Sequence, residues 1–271
     1  MASRLAQLTP TRELLLNLTL RDLRGRYRKS ILGWTWSFVT PLSTIGIYIV
    51  VFGYFLKVQV PPGEPSGFHN FPLFMTCGFV SWNFFTNTVN GSMSSLLGNA
   101  NLIQRVYLPR QILVFASVGS ALITALIEVL ALVIVMLAVG NFVLPWIPLL
   151  LVVLVLQLMF VSGIALILSP LNVYFRDLEY ITTIGLNLLF YAAPIVYSIT
   201  SVPMTAHGIP VRLIYGLNPT TQFVNCFRYL LYDLRVPPLH DLLYLVAVSL
   251  LTLGAGILVF RRLEPRLAEE V

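Results

Sequence analysis

Apolar residues run in long blocks along this chain, separated by short polar and basic stretches. A helix needs about 20 predominantly apolar residues to cross the hydrocarbon core of a bilayer. Six segments reach that length, at 31–56, 71–96, 112–140, 146–168, 181–199 and 241–260. Within them the only strongly charged residues are Glu128 and Asp241, the latter at a boundary. The pattern predicts an all-α integral membrane protein with six transmembrane helices. The second segment is the least apolar, because 86-TNTVNGSMSSLLGN-99 is small and polar. Such a helix should face protein in place of lipid.

Composition agrees with the pattern. Of 271 residues 57% are hydrophobic and 10% charged, with mean hydropathy +0.84; a soluble domain carries about 25% charged residues. The formal charge of +6 raises nucleic acid as a partner, but the basic residues bracket apolar segments and form no long tract. Membrane lipids are the better partner, and no nucleic acid is expected.

The placement of Arg and Lys orients the spans. Seven lie before the first span, Arg105 and Arg110 in the loop 97–111, Arg176 in 169–180, and Arg261, Arg262 and Arg266 in the tail. Lys57, Arg212, Arg228 and Arg235 fall on the other side. Both termini are therefore expected in the cytoplasm. The leucine run 14-LLLNLTL-20 is short, interrupted and followed by Arg21 and Asp22, so it does not read as a signal peptide.

The basic N-terminal segment has a second pattern. Leu16, Leu20, Leu23 and Tyr27 recur at helical period, with Arg21, Arg24 and Arg28 on the far side. Thr9 and Pro10 make a helix start, with Glu13 in the first turn. This predicts an amphipathic helix over 10–30 in the cytoplasmic interface; a simple basic anchor is the alternative. The chain then reads as one transmembrane domain, 1–271: an interface helix at 10–30, a six-span bundle at 31–260 and a cytoplasmic tail at 261–271.

Little in the sequence suggests an enzyme. A phosphate-cradling loop needs Gly-Lys-Ser/Thr, and the only Lys-Ser pair, Lys29-Ser30, follows Arg28 without a glycine loop. His69, His207 and His240 lie in outer segments without ligand spacing, and Cys77 and Cys226 are far apart and read as structural. No catalytic, metal or cofactor-binding residue is expected. Glu128, in 121-ALITALIEVLALVIVML-137, is an acid deep in a span and hence a candidate functional group. It has no basic partner within any predicted span. A proton relay, a hydrogen bond to a neighbouring helix and a place beside a wet cavity all fit it.

Aromatic placement is the other candidate. Trp34, Phe38, Tyr48 and Phe52 share one narrow face of the first span, with Pro41 as a kink on that face. Interfacial aromatic belts account for Trp34. A face that stacks on sugar rings accounts for the whole stripe, and both readings stay open. In the last outer segment, 218-NPTTQFVNCFRYLLYDLRVPP-238, Asn218 caps and Pro219 opens a short helix. Phe223, Phe227, Leu230 and Leu234 form its stripe. A helix that dips into or re-enters the outer face is expected, with Arg228 meeting either an anionic group or lipid headgroups.

Five stretches in order, 21-RDLRGRYRKSILGWTWSFVTPL-42, 102-LIQRVYLPRQIL-113, 172-NVYFRDLEYI-181, 193-APIVYS-198 and 218-NPTTQFVNCFRYLLYD-233, cover almost the whole chain. Together they resemble the membrane (permease) subunit of type-2 ATP-binding cassette exporters, in the branch that exports O-antigen, teichoic acid and cell-wall galactan. The resemblance implies a homodimer in the bacterial cytoplasmic (inner) membrane, serving cell-envelope biogenesis, with a lipid-linked polysaccharide as substrate. It also implies a separate ATPase subunit in two copies, which carries the ATP-Mg. The loop 98–110 corresponds to the ATPase-docking helix, with Arg105, Tyr107 and Arg110 as docking residues. The segment 169–180 corresponds to the second cytoplasmic connection, and 218–238 to outer re-entrant helices. A permease for lipids or drugs is the near alternative. A membrane-embedded glycan-transferring enzyme would need an acidic metal-binding pair or a basic catalytic pocket, and neither is found.

Overall fold

A computed structural model describes residues 2–26, 35–58, 62–105, 108–205, 208 and 210–267. Among them the regular elements are all helical. The chain opens with α1 (Ala2–Arg26), followed by α2 (Trp36–Tyr48), α3 (Phe71–Ser95) and the short α4 (Ala100–Arg105). Two long helices come next, α5 (Gln111–Ala138) and α6 (Ile147–Tyr174), then α7 (Leu178–Ala192). Two short helices, α8 (Val211–Leu217) and α9 (Pro219–Arg228), precede the last long one, α10 (Leu239–Leu263).

Four of these segments are long and apolar enough to cross a membrane: 38–55, 111–138, 144–174 and 239–263. The sequence predicts six. The second predicted span does form a helix of 25 residues, α3, but its polar half keeps it outside that set. The fifth is cut short. α7 has 15 residues, about 22 Å at 1.5 Å per residue, against a hydrocarbon core of about 30 Å. Pro194 ends it by forcing Ala193 into an extended conformation, φ −107° and ψ 138°. The fourth span runs further than predicted, through Pro170 to Tyr174, whose hydroxyl donates to the Leu263 carbonyl (3.2 Å).

α3 is the central post, with nearly every side chain from Phe71 to Phe85 buried against α5, α6 and α9. Polar side chains tie the posts together. Gln157 of α6 donates to the Ser81 carbonyl (2.8 Å), and Asn172 donates to the Met93 carbonyl (3.0 Å). Such bonds are worth keeping where hydrocarbon offers no competing partner. α10 lies against α6 at backbone distance: a β-carbon on Gly163 would stand 2.3 Å from the Thr252 carbonyl oxygen, and one on Gly256 2.4 Å from the Gly163 carbonyl oxygen. Only paired glycines admit that approach.

The first span keeps Pro41 inside the helix, then widens to i→i+5 bonding from Ile49 to Phe55. The N-terminal helix differs from its prediction in two ways. It begins at Ala2 and continues through Pro10. Its buried face is centred on Leu18, Thr19 and Leu23, while Leu16 (51% exposed) and Leu20 (38%) point away from the protein. The cause is Gly119 on α5. A β-carbon there would stand 3.1 Å from the Thr19 hydroxyl, so the missing side chain draws the Thr19 face inward and, of the predicted stripe, turns Leu23 in while leaving Leu16 and Leu20 outside. Tyr27 lies outside the described residues.

Candidate translocation path and adjoining elements

The aromatic face of the first span is part of a larger ring ladder. Tyr48 stands 6.0 Å from Phe52 and 5.5 Å from Phe79, centroid to centroid, and Phe52 stands 5.5 Å from Phe71. The widened turn after Tyr48 keeps Phe52 beside it. Phe79 reaches Phe190 of α7 (5.7 Å), which meets Trp82 (5.7 Å). Rings thus cross from α2 over α3 to α7 without a break. Tyr48 and Phe52 are half-buried in this ladder, whereas Phe38 is exposed on α2. Trp34 lies outside the described residues. Sequence reasoning missed Phe71, Phe79, Trp82 and Phe190. The signal was the aromatic density of 71-FPLFMTCGFVSWNFF-85, which a one-helix stripe does not combine with α2.

Glu128 faces a cavity of about 60 Å³ between α2, α3 and α5, also lined by Thr40, Thr44, Tyr48 and Asn83. The Asn83 amide donates to its carboxyl oxygen across 3.4 Å. That is a long bond, in a space with room for a water.

Arg228 sits at the end of α9 and is 4% exposed. Its Nε donates to the Phe74 carbonyl (3.3 Å), Nη1 to those of Pro194 (2.5 Å) and Tyr197 (3.2 Å), and Nη2 to that of Ile195. Four carbonyls of the protein thus take up the guanidinium, a set of partners that the sequence reading did not include. The segment before it forms as its residues predict: Asn218 accepts from the Thr220 amide (3.1 Å), Pro219 opens the helix, and Phe223, Phe227 and Leu230 are buried. Leu234 instead ends the turn in the left-handed region, φ 60°. Tyr232 fastens this unit to the loop before α3, accepting from the Asn70 amide (3.0 Å) and donating to the Phe68 carbonyl (2.7 Å).

At the opposite end α4 follows α3 in the chain, and α1 meets the turn just before it: Arg21 donates to the Asn99 side chain (2.7 Å). Arg105 closes α4, with its side chain outside the description, as is Tyr107 altogether. Arg110 is half-buried and donates through Nη1 to the Glu264 carbonyl in the tail. Among the described residues no cluster of His, Cys, Asp and Glu could hold a metal ion, and Cys77 and Cys226 are buried and free.

Comparison with known proteins adds three relatives that run nearly end to end. The O-antigen export system permease protein of Myxococcus xanthus is 29% identical over 260 residues, 96% of each chain. A protein of the same name from Klebsiella pneumoniae is 29% identical over 259 residues, 95% of this chain and 94% of its own. The polysialic acid transport protein of Escherichia coli is 25% identical over 256 residues, 91% of this chain and 92% of its own. The family model for ABC-2 type transporters matches residues 13–232, which takes in every span-forming helix but the last, and the chain therefore belongs to the ABC-2 type transporter family.

Proposed function

We propose that this chain is the channel-forming membrane subunit of an ATP-driven exporter of lipid-linked polysaccharide. The observation that carries this reading is the end-to-end match to proteins named for O-antigen export and polysialic acid transport. The ring ladder from Tyr48 to Trp82 supports it, because aromatic faces bind sugar C–H edges.

In this reading two copies of the chain form the conduit, and a separate ATPase subunit binds below each and carries the ATP-Mg. α3 and α7 act as the second and fifth of six membrane passages, with α8 and α9 re-entering from the outer face. The excess of Arg and Lys in the N-terminal segment, the loop 97–111 and the tail supports cytoplasmic termini in the bacterial inner membrane. α4 with Arg105, Tyr107 and Arg110 docks the ATPase. Hydrolysis there separates or tilts the two copies, and the chain itself performs no covalent chemistry.

The test is deletion and complementation in the native cell. Loss of the chain should abolish polymer at the outer face while lipid-linked polymer accumulates inside. Wild-type surface polymer in the deletion strain would end the proposal.

A further inference from the structure

The face of α3 turned away from the core is polar. Asn83, Thr86, Asn87, Asn90, Gly91 and Ser94 recur at i, i+3, i+4, i+7, i+8 and i+11, each half-buried or exposed, while the opposite face fills the core. Opposite them on α7 stand Thr183 and Asn187, one turn apart. Between the two helices runs a groove of about 220 Å³, walled by Thr86 and Asn90 on one side and Thr183, Leu186 and Asn187 on the other. Trp82 and Phe190 close one end, their rings edge to face at 5.7 Å.

The donors in this groove are unevenly committed. The Thr86 hydroxyl donates to the Trp82 carbonyl (3.1 Å) and the Thr183 hydroxyl to the Glu179 carbonyl (2.8 Å), which leaves both as acceptors. The carboxamides of Asn90 and Asn187 have no hydrogen-bond partner among the described residues. Each offers two N–H donors and an acceptor oxygen. Hydrocarbon cannot satisfy such groups, so a lipid-facing position for this wall is costly.

We propose that the groove between α3 and α7 is a subsite for one neutral pyranose ring of the exported polymer. The inference rests on the polysaccharide-export reading and names where within the protomer the sugar is held. A sugar hydroxyl donates and accepts at once, as the two carboxamides do, and its ring C–H edge suits the faces of Trp82 and Phe190. No charged side chain lines the groove, so an anionic group would lack the cationic donor it needs. Its volume of about 220 Å³ falls below the range of about 300–1,000 Å³ of drug-sized pockets. That is the scale of a single ring taken up and passed on.

The test places a photoreactive benzophenone amino acid at Asn187 in one strain and at Asn90 in another. Leu251, 73% exposed on α10, serves as the lipid-facing control. Full-length chain is illuminated in its own membranes while the cell makes its own polymer. Polydisperse, periodate-sensitive adducts at Asn90 and Asn187, absent at Leu251, are expected as an upward mobility shift of the chain. Adducts only with lipid or a second copy, in cells whose surface polymer vanishes when the chain is deleted, overturn the subsite and leave export standing. Glycan-free adducts together with undiminished surface polymer on deletion overturn both. Asn90 and Asn187 lie on different helices and both are exposed, so misfolding of one variant leaves the other to decide.

Discussion

The guanidinium carbon of Arg228 lies 3.8 Å from the centroid of the Phe74 ring, and the same group bonds the carbonyls of Pro194 and Ile195. One side chain on α9 thereby joins α3 to the turn that follows α7. The contact accounts for a charge in an interior that would otherwise exclude it: the cation is covered by a ring on one side and by carbonyl oxygens on the others. Arg228 is a clamp between three elements.

This clamp predicts a stability loss that charge alone does not set. Arg228→Ala strands several buried carbonyls and should destabilise the chain by about 3 kcal/mol or more. Arg228→Lys keeps the charge but lacks the planar fork, and should recover only a minor part. Thermal unfolding of the detergent-solubilised chain, followed by fluorescence-detected size exclusion, is the measurement. A lysine variant as stable as wild type would contradict the clamp.

Replacing Tyr48 and Phe52 together by Leu tests the ladder. Insertion and assembly should survive, because Leu is as favourable as an aromatic residue in a helix centre. The lost ring pairs cost about 0.5–1.5 kcal/mol each, a dent in stability only. Polymer reaching the outer face, normalised to assembled transporter, should fall. Unchanged export would remove these two rings from the path.

Glu128 separates a structural joint from a proton relay. Glu128→Gln keeps an acceptor oxygen for the Asn83 amide and fills the same space, so export should stay near wild type. Glu128→Leu leaves that amide unpaired and should lower both folded protein and export, by about 1–3 kcal/mol in stability. If the glutamine variant is inserted normally yet exports nothing, ionisation of Glu128 is required.

The docking role proposed for α4 can be tested on the ATPase partner. Purified alone, the chain should hydrolyse no ATP, and Arg105→Glu should weaken co-purification of the ATPase subunit or uncouple its hydrolysis from export. Arg110 is a poorer choice, since its bond to the Glu264 carbonyl mixes docking with anchoring of the tail. Complex formation and export unchanged by Arg105→Glu would move the docking surface elsewhere.

Much of this protein is determined along the chain itself. Long apolar blocks, a charge content of 10% and basic residues massed in a few segments dictate a helical membrane protein. The first two follow locally from burying helical backbone in hydrocarbon, and the third from the charge bias of the loops that flank membrane spans. The Asn218–Pro219 helix start is legible for the same reason: cap and first turn are neighbours in sequence. Pro194 was legible too as a helix breaker, yet the apolar run around it extended the fifth predicted span to 199.

The tertiary structure decided what depends on separate segments meeting. Leucines at helical period marked a stripe on α1, but the absent side chain of Gly119, a hundred residues on from Thr19, chose which face turned inward. Arg228 looked outward by its place in the topology and is buried because carbonyls freed by the turn after Ala193 converge on it. The rings of α2 reach Trp82 only through Phe79 and Phe190, on two other helices. The sequence carries all of these residues; which of them touch is set by helix packing, where a glycine or a proline in one segment repositions a side chain in another.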